Sequence, residues 1–513
     1  MDLGPLARAT VTLLASASLI VSCTHPNPET ADRSKTVDLA TPEPNAVEAP
    51  QPAGHGPALF ANLGTLHHPI TTNSIGAQQY FNQGLRLYYA FNKDEALRDF
   101  KEVARIDPRS PMAWWGQALA LGPDINDPGD AGRRQAAADA IAQARDLAMK
   151  PSIPQEERDY VRTLSVRYAT PPEGDAAAPA RAYAAAMGEM AARYPSDLDA
   201  ATLYAEALMD LRPWDLWAPN GEPRPGTTKI LQVLESVMSK DPKHLGANHY
   251  YIHAVEASRE PERALPCAER LASLAPGAGH IVHMPSHIYM RVGRYADALA
   301  ANRRAIAADR VTLAAIGDQS TYAMMYVPHN FHFLWAAACM AGRRAEAMDA
   351  ANELLKRVSW EAVHAMPMGE FVTPVRTFTF VRFGMWEEML SEPAPPVEFP
   401  YPTGMWHYGR AVAFAATGHP DEAAAEAAEV AEAAQAMPAA KTEGLNGARA
   451  LLTLAARVAA GESAVARGDI DGAIERFKAA IAAEDGLRYD EPPPWYPPVR
   501  QTLGRVLLAA GRA

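Results

Sequence analysis

From Ala77 to Pro108 the chain reads "AQQYFNQGLRLYYAFNKDEALRDFKEVARIDP", and its apolar or small side chains return at helical spacing through two short runs. Gly84 falls in the first run, Ala96 and Phe100 in the second, and Pro108 closes the pair. The spacing recurs. Pro242 and Pro276 lie 34 residues apart, and "GRYADAL" (293–299), "GRRAEAM" (342–348), "GHPDEAA" (418–424) and "GDIDGAI" (468–474) each set a glycine ahead of an alanine. A helix pair with one apolar face buries that face only by stacking on the next pair, so the pattern predicts an all-α solenoid of about nine or ten units. Residues 123–135 and 360–403 follow it poorly, with a break expected near 390–403, and Ala-rich runs such as "AAAPARAYAAAMGEMAAR" (176–193) can be phased in several ways.

With Ala96 set as position 20, Tyr80 falls at 4, Gly84 at 8, Phe100 at 24 and Pro108 at 32, and the segment resembles a tetratricopeptide repeat, the 34-residue helix-turn-helix. The resemblance implies a right-handed superhelix. Most of the chain is also similar to a group of exported bacterial tetratricopeptide proteins that share patterns like "FNKDEALRDFKEVARIDPRSPMAWWGQALALGP", "HYYIHAVE", "HMPSHIY" and "EPPPWYPPVR". The likeness implies fold and export and leaves the chemistry to the residues.

The first 23 residues, "MDLGPLARATVTLLASASLIVSC", place one arginine before an apolar run and small residues, a signal-peptide layout too short to span a membrane. Ile20, Val21, Ser22 and Cys23 resemble a bacterial lipobox, which implies cleavage after residue 22 and a lipid anchor on Cys23, holding the protein in the periplasm at a membrane. Residues 23–56 are rich in Pro, Thr and acidic groups and cannot offset their ordering entropy, so they read as a tether to the solenoid of residues 57–513. Beyond Cys23 only Cys267 and Cys339 remain, too few for a disulfide framework. A net charge of −12 argues against the basic stripe that a nucleic-acid partner requires.

The histidines alter the picture. Units numbered from Pro and Ala landmarks alone begin at Leu198, Leu245, Gly279 and Pro328, and the tetratricopeptide resemblance implies that positions 2, 5, 9, 12 and 13 of each first helix line the concave groove. Positions 5, 9 and 12 of the Leu245 unit are His249, His253 and Glu256; positions 2, 5 and 9 of the Gly279 unit are His280, His283 and His287; positions 2 and 5 of the Pro328 unit are His329 and His332. The Leu198 unit adds Asp199, Glu206, Met209 and Asp210. Seven of the nine positions 2, 5 and 9 in these three units are His, where 15 His in 513 residues would place roughly 0.3 by chance. Neighbouring helices pack about 8–10 Å apart, so imidazoles from adjacent repeats can converge on one ion. The expected metal ligands are His249, His253, His283 and His287, with Glu256, His280, His329 and His332 as further candidates, for zinc, copper or iron. Were the site catalytic, the metal would activate water or O2, with Glu206 or Glu256 as proton acceptor. Pro285 threatens the helix that carries His280 and His283 and could leave both on a loop.

Two proline-rich stretches flank this register. "DLRPWDLWAPNGEPRPGTTK" (210–229) is a long insertion where a repeat has a tight turn, and Trp214 and Trp217 make it either a lid or a self-anchored loop. "YDEPPPWYPPVRQTLG" (489–504) offers Glu491, Trp495 and Arg500 to the groove but reads better as a stiff linker to a capping helix. Trp114, Trp115, Tyr88 and Tyr89 read as core, and nothing places His67 and His68. Gly-x-Ser-x-Gly, phosphate-loop and dinucleotide fingerprints are absent, and His249-x-x-x-His253 lacks the Glu of a zinc-protease helix. The competing reading is a scaffold whose groove takes a peptide or protein partner at the cell envelope without metal, although such grooves present Asn, Lys and Arg, of which this one has few at the relevant positions.

Overall fold

The computed structural model describes residues 56–512; the expected leader, Cys23 and most of the tether lie outside the described residues. The described chain is a tetratricopeptide-like α-solenoid of antiparallel helix pairs, with a two-residue hairpin, Thr442–Glu443 with Asn446–Gly447, among the helices. Ser74 caps the Ile75–Tyr89 helix by accepting from the Ala77 N–H, and Asn92 caps Lys93–Ile106 by accepting from Glu95. Phe100, fully buried, is the wedge between layers. Its ring packs so closely on Gly84 and Gly116 that a Cβ there would come within 2.8 and 2.4 Å of it. Gly461 and Phe477 repeat the arrangement, with a hypothetical Cβ at 2.6 Å. The glycines at 293, 342, 418 and 468 take φ between 71° and 81°, the left-handed turn that joins helix to helix and that a Cβ would strain.

The irregular stretches are short elements. Residues 360–391 form the helices Trp360–Ala365, Val375–Phe383 and Trp386–Ser391 with a 3-10 turn at Pro367–Val372. The unit placed at Pro328 starts earlier: its helix runs from Thr321, capped by Ser320, to Met340, and Pro328 lies inside it. Pro285 opens a new helix, Pro285–Arg291, directly after Gly279–His283, so His280 and His283 stand on a short helix bent at Met284. Cys267 and Cys339 are both buried and unbonded. No helix among the described residues is long and apolar enough to cross a membrane.

Early and late segments meet on the inner face. Thr321 N–H donates to Asp94 at 2.7 Å, Gly277 N–H to the Asn62 carbonyl at 2.8 Å, and the Tyr489 hydroxyl to Glu256 at 2.9 Å. Residues 489–496 thus cross the histidine-bearing helices before Val499–Ala509 packs on Ile470–Asp485.

Candidate metal centre

Four helices, Leu245–Glu256, Gly279–His283, Pro285–Arg291 and Thr321–Met340, bring six imidazoles together. His249, His253, His280, His283 and His287 are buried and His329 is half-buried. They form two triads, His249/His253/His280 and His283/His287/His329, and within each triad one nitrogen per ring lies within 4.8 Å of the other two. The four ligands favoured from sequence therefore divide between two sets. The rings of the sets meet at centroid distances of 5.6 Å (His253 and His287) and 5.9 Å (His280 and His283).

The hydrogen bonds fix most of the tautomers. Asn302 Nδ2 donates to the Ala298 carbonyl at 2.8 Å, so its Oδ1 faces His283 Nδ1 at 2.6 Å, and that nitrogen carries the proton. His249 Nδ1 lies 2.6 Å from the Tyr89 carbonyl, which only accepts, so it too is the donor. Glu256 bridges the triads: Oε1 accepts from His253 Nδ1 at 2.8 Å and Oε2 from His287 Nδ1 at 2.6 Å. Burial would raise the Glu256 carboxyl, but the His287 and His253 imidazoles more than reverse this and hold it well below the usual carboxylate range, ionised. With Nδ1 committed to these acceptors, His249, His253, His283 and His287 all turn Nε2 inward, the nitrogen that carries the lone pair in an imidazole whose proton is on Nδ1. His283 Nε2 and His287 Nε2 stand 2.7 Å apart, and two lone pairs at that distance repel unless a proton or a cation lies between them. His253 Nε2 and His280 Nδ1 are buried without any partner.

Burial, then neighbouring imidazoles, push His249, His280, His283 and His329 well below 6.5. Burial lowers His253 as well, although Glu256 opposes it. Neutral imidazoles are the form that binds metal.

Two expected residues stand elsewhere. His332 belongs to neither triad: its ring stacks on Trp335 at 5.4 Å and meets the edge of Phe371, and burial holds it at about 3. Glu206 hydrogen-bonds the Tyr88 hydroxyl rather than an imidazole, and burial followed by Asp210 raises it to about 8, in a network with the buried Arg167–Asp210 pair. Glu256 is in the cluster, with both oxygens accepting from imidazole N–H groups.

Glu491, which sequence favoured as part of a linker, enters the cluster. Its Oε2 lies 2.6 Å from His287 Nδ1, completing a further group of possible ligands with His253, Glu256 and His287. Burial and then the neighbouring Glu256 push its carboxyl well above the usual range. Trp495 packs in the core against Phe378 and Tyr408, and Arg500 pairs with Asp485 on the surface. Trp214 of the 210–229 insertion sets its ring edge-on to His253 at 5.6 Å, and Trp217 Nε1 donates to the Ala254 carbonyl. Between them a cavity of about 20 Å³ reaches His253 and Glu256. His68, unplaced from sequence, donates from Nδ1 to the Asp199 carboxylate at 2.8 Å beside a cleft of about 740 Å³.

No family model matches the chain, and no curated protein matches it. Among solved structures it is similar to a chain of the APC/C Cut9–Hcn1 hetero-tetramer, at 10% identity over 85% of this chain and 70% of that one, TM-score 0.34. It is similar to yeast Tom70 at 11% identity over 86% and 90% of the chains, TM-score 0.31, and to the P58(IPK) TPR domain at 13% over 85% and 99%, TM-score 0.20. These identities bear on the fold alone and say nothing of the imidazoles.

Proposed function

We propose that this protein is an exported, lipid-anchored tetratricopeptide solenoid whose inner face binds a transition-metal ion, zinc, copper or iron, on His283, His287 and His329. The observation that carries the reading is the 2.7 Å approach of His283 Nε2 to His287 Nε2 while Asn302 and Glu256 hold the other nitrogen of each ring. Acceptors behind ligating imidazoles fix their tautomer and raise their basicity, which is the usual outer shell of a metal site. One ion with bonds of about 2.0–2.1 Å reaches both nitrogens once the rings part to the roughly 3.3 Å that tetrahedral ligands keep, and it accepts a third imidazole. Three imidazoles leave a position open, and a bound ion there would polarise water or O2.

Export and the anchor at Cys23 rest on the leader sequence and on the likeness to the "HMPSHIY" group. Metal analysis of purified protein beside His253→Ala/His287→Ala tests the reading. Stoichiometric metal in the wild type that falls in the variant supports it; a wild type without zinc, copper or iron overturns it. The second reading, a scaffold for a peptide or protein partner at the envelope, is favoured by the helix-pair architecture. Such a partner would dock outside the cluster, whose core imidazoles are buried beneath Trp214 and Tyr489.

A further inference from the structure

The His283/His287/His329 set leaves half of the cluster unused. His249, His253 and His280 come from different helices and offer one nitrogen each within 4.8 Å of the others. The Nε2 of His249 and of His253 are free of protons for the reasons given above. His280 Nε2 lies 3.1 Å from His249 Nε2. If it donates there, His280 Nδ1 and His253 Nε2 remain two buried nitrogens with no partner; if it accepts, two lone pairs oppose each other. No arrangement of protons on neutral rings satisfies the set.

The surroundings are built for it. Phe91 and Trp214 are the two residues other than glycine that adopt positive φ among the described residues, each at 57°. Both strained residues press aromatic rings on this triad: Phe91 lies 4.6 Å from His249, 5.7 Å from His253 and 5.3 Å from His280, and Trp214 lies 5.6 Å from His253. Backbone strain kept at a cluster of unsatisfied nitrogens marks a site under functional constraint.

We infer that the cluster takes two first-row transition ions, the second on His249, His253 and His280, joined to the first through Glu256. This rests on the reading proposed above for the first ion. Glu256 is the coupling group: it accepts from one imidazole of each triad, so a cation that draws electron density from His253 strengthens its N–H donation to the carboxylate shared with His287. Two carboxylates stand at the cluster, Glu256 on one imidazole of each triad and Glu491 with its Oε2 2.6 Å from His287 Nδ1, so acidic groups lie beside both sets.

The test is titration of the chelator-treated full chain with Zn2+ alone, and separately with Cu2+ alone, against a chromophoric competitor. The same titration is made on His249→Gln/His280→Gln and on His283→Gln/His329→Gln, with helical content checked by circular dichroism. Two equivalents per wild-type chain, falling to one in each variant, are the expected result. A single equivalent in the wild type overturns the two-ion inference; the reading on His283, His287 and His329 stands if that equivalent is lost in His283→Gln/His329→Gln and falls with the inference if it survives there. No bound equivalent overturns both. Should a variant lose its helical signal, the wild-type stoichiometry alone decides.

Discussion

Glu256→Gln is the sharpest single perturbation of the cluster. Both carboxylate oxygens now accept from imidazole Nδ1–H groups, at 2.8 Å from His253 and 2.6 Å from His287, and Oε2 also accepts from the Tyr489 hydroxyl at 2.9 Å. Glutamine keeps the volume and one acceptor but presents an NH2 where the other stood, so one imidazole meets a donor with its own donor. That ring must either lose the bond or move its proton to Nε2, which takes its lone pair away from the ion. Losing a hydrogen bond to a charged group costs about 1.5–3 kcal/mol, or roughly 10- to 150-fold in affinity at about 1.4 kcal/mol per tenfold. Outer-shell substitutions at metal sites fall in the same range, about 10–100-fold. Competition against a chromophoric chelator at neutral pH reads this directly. A Glu256→Gln protein with wild-type helical content and unchanged metal affinity would refute the assigned tautomers and the role given to the bridge.

Acid should destabilise the metal-free protein through the same rings. In the folded state His249, His280 and His283 titrate well below 6.5, whereas in the unfolded chain they take a proton near it. The unfolded state therefore binds more protons below pH 6.5, and stability, fully present above that value, falls by about 1.4 kcal/mol per pH unit for each such histidine until its folded pKa is reached; denaturant melts across pH 7 to 5 should show the slope. His332→Phe should retain full metal content while removing one proton from that slope between about 6.5 and 3, because this ring is buried on Trp335 and holds no place in either triad. Gly116→Ala drives a methyl to within 2.4 Å of the Phe100 ring and should cost about 1–3 kcal/mol in urea unfolding, with metal stoichiometry untouched.

The helix-pair register was legible because its determinants are local. Gly84 with Phe100, the turn glycines with their following alanines, and the 34-residue interval each follow from steric rules that act within one repeat. Carrying that register across three units sufficed to put six histidines on one inner face. It misplaced His332 because the helix starts at Thr321, not Pro328, and because His332, three residues beyond His329, lies nearly a turn further along the axis and about 60° round it, where Trp335 and Phe371 receive its ring. Glu491 and Tyr489 were hidden for a different reason. They reach Glu256 and His287 across more than two hundred residues, from a proline-stiffened stretch with no repeat position, and the acidic and aromatic residues of "YDEPPPWY" were the sole signal. The division into triads could not be read either. It depends on which acceptor each Nδ1 meets, and two of those, the Tyr89 carbonyl and the Asn302 amide, carry no mark in the sequence.

Anomalous diffraction from crystals of the metal-loaded chain, recorded at the absorption edge of the ion found by elemental analysis, tests the central claim most directly. A peak is expected at about 2.0–2.1 Å from both His283 Nε2 and His287 Nε2, with Asn302 and Glu256 still on the opposite nitrogens. Density that shows these two nitrogens sharing only a hydrogen bond, with the ion bound elsewhere on the chain, would contradict it.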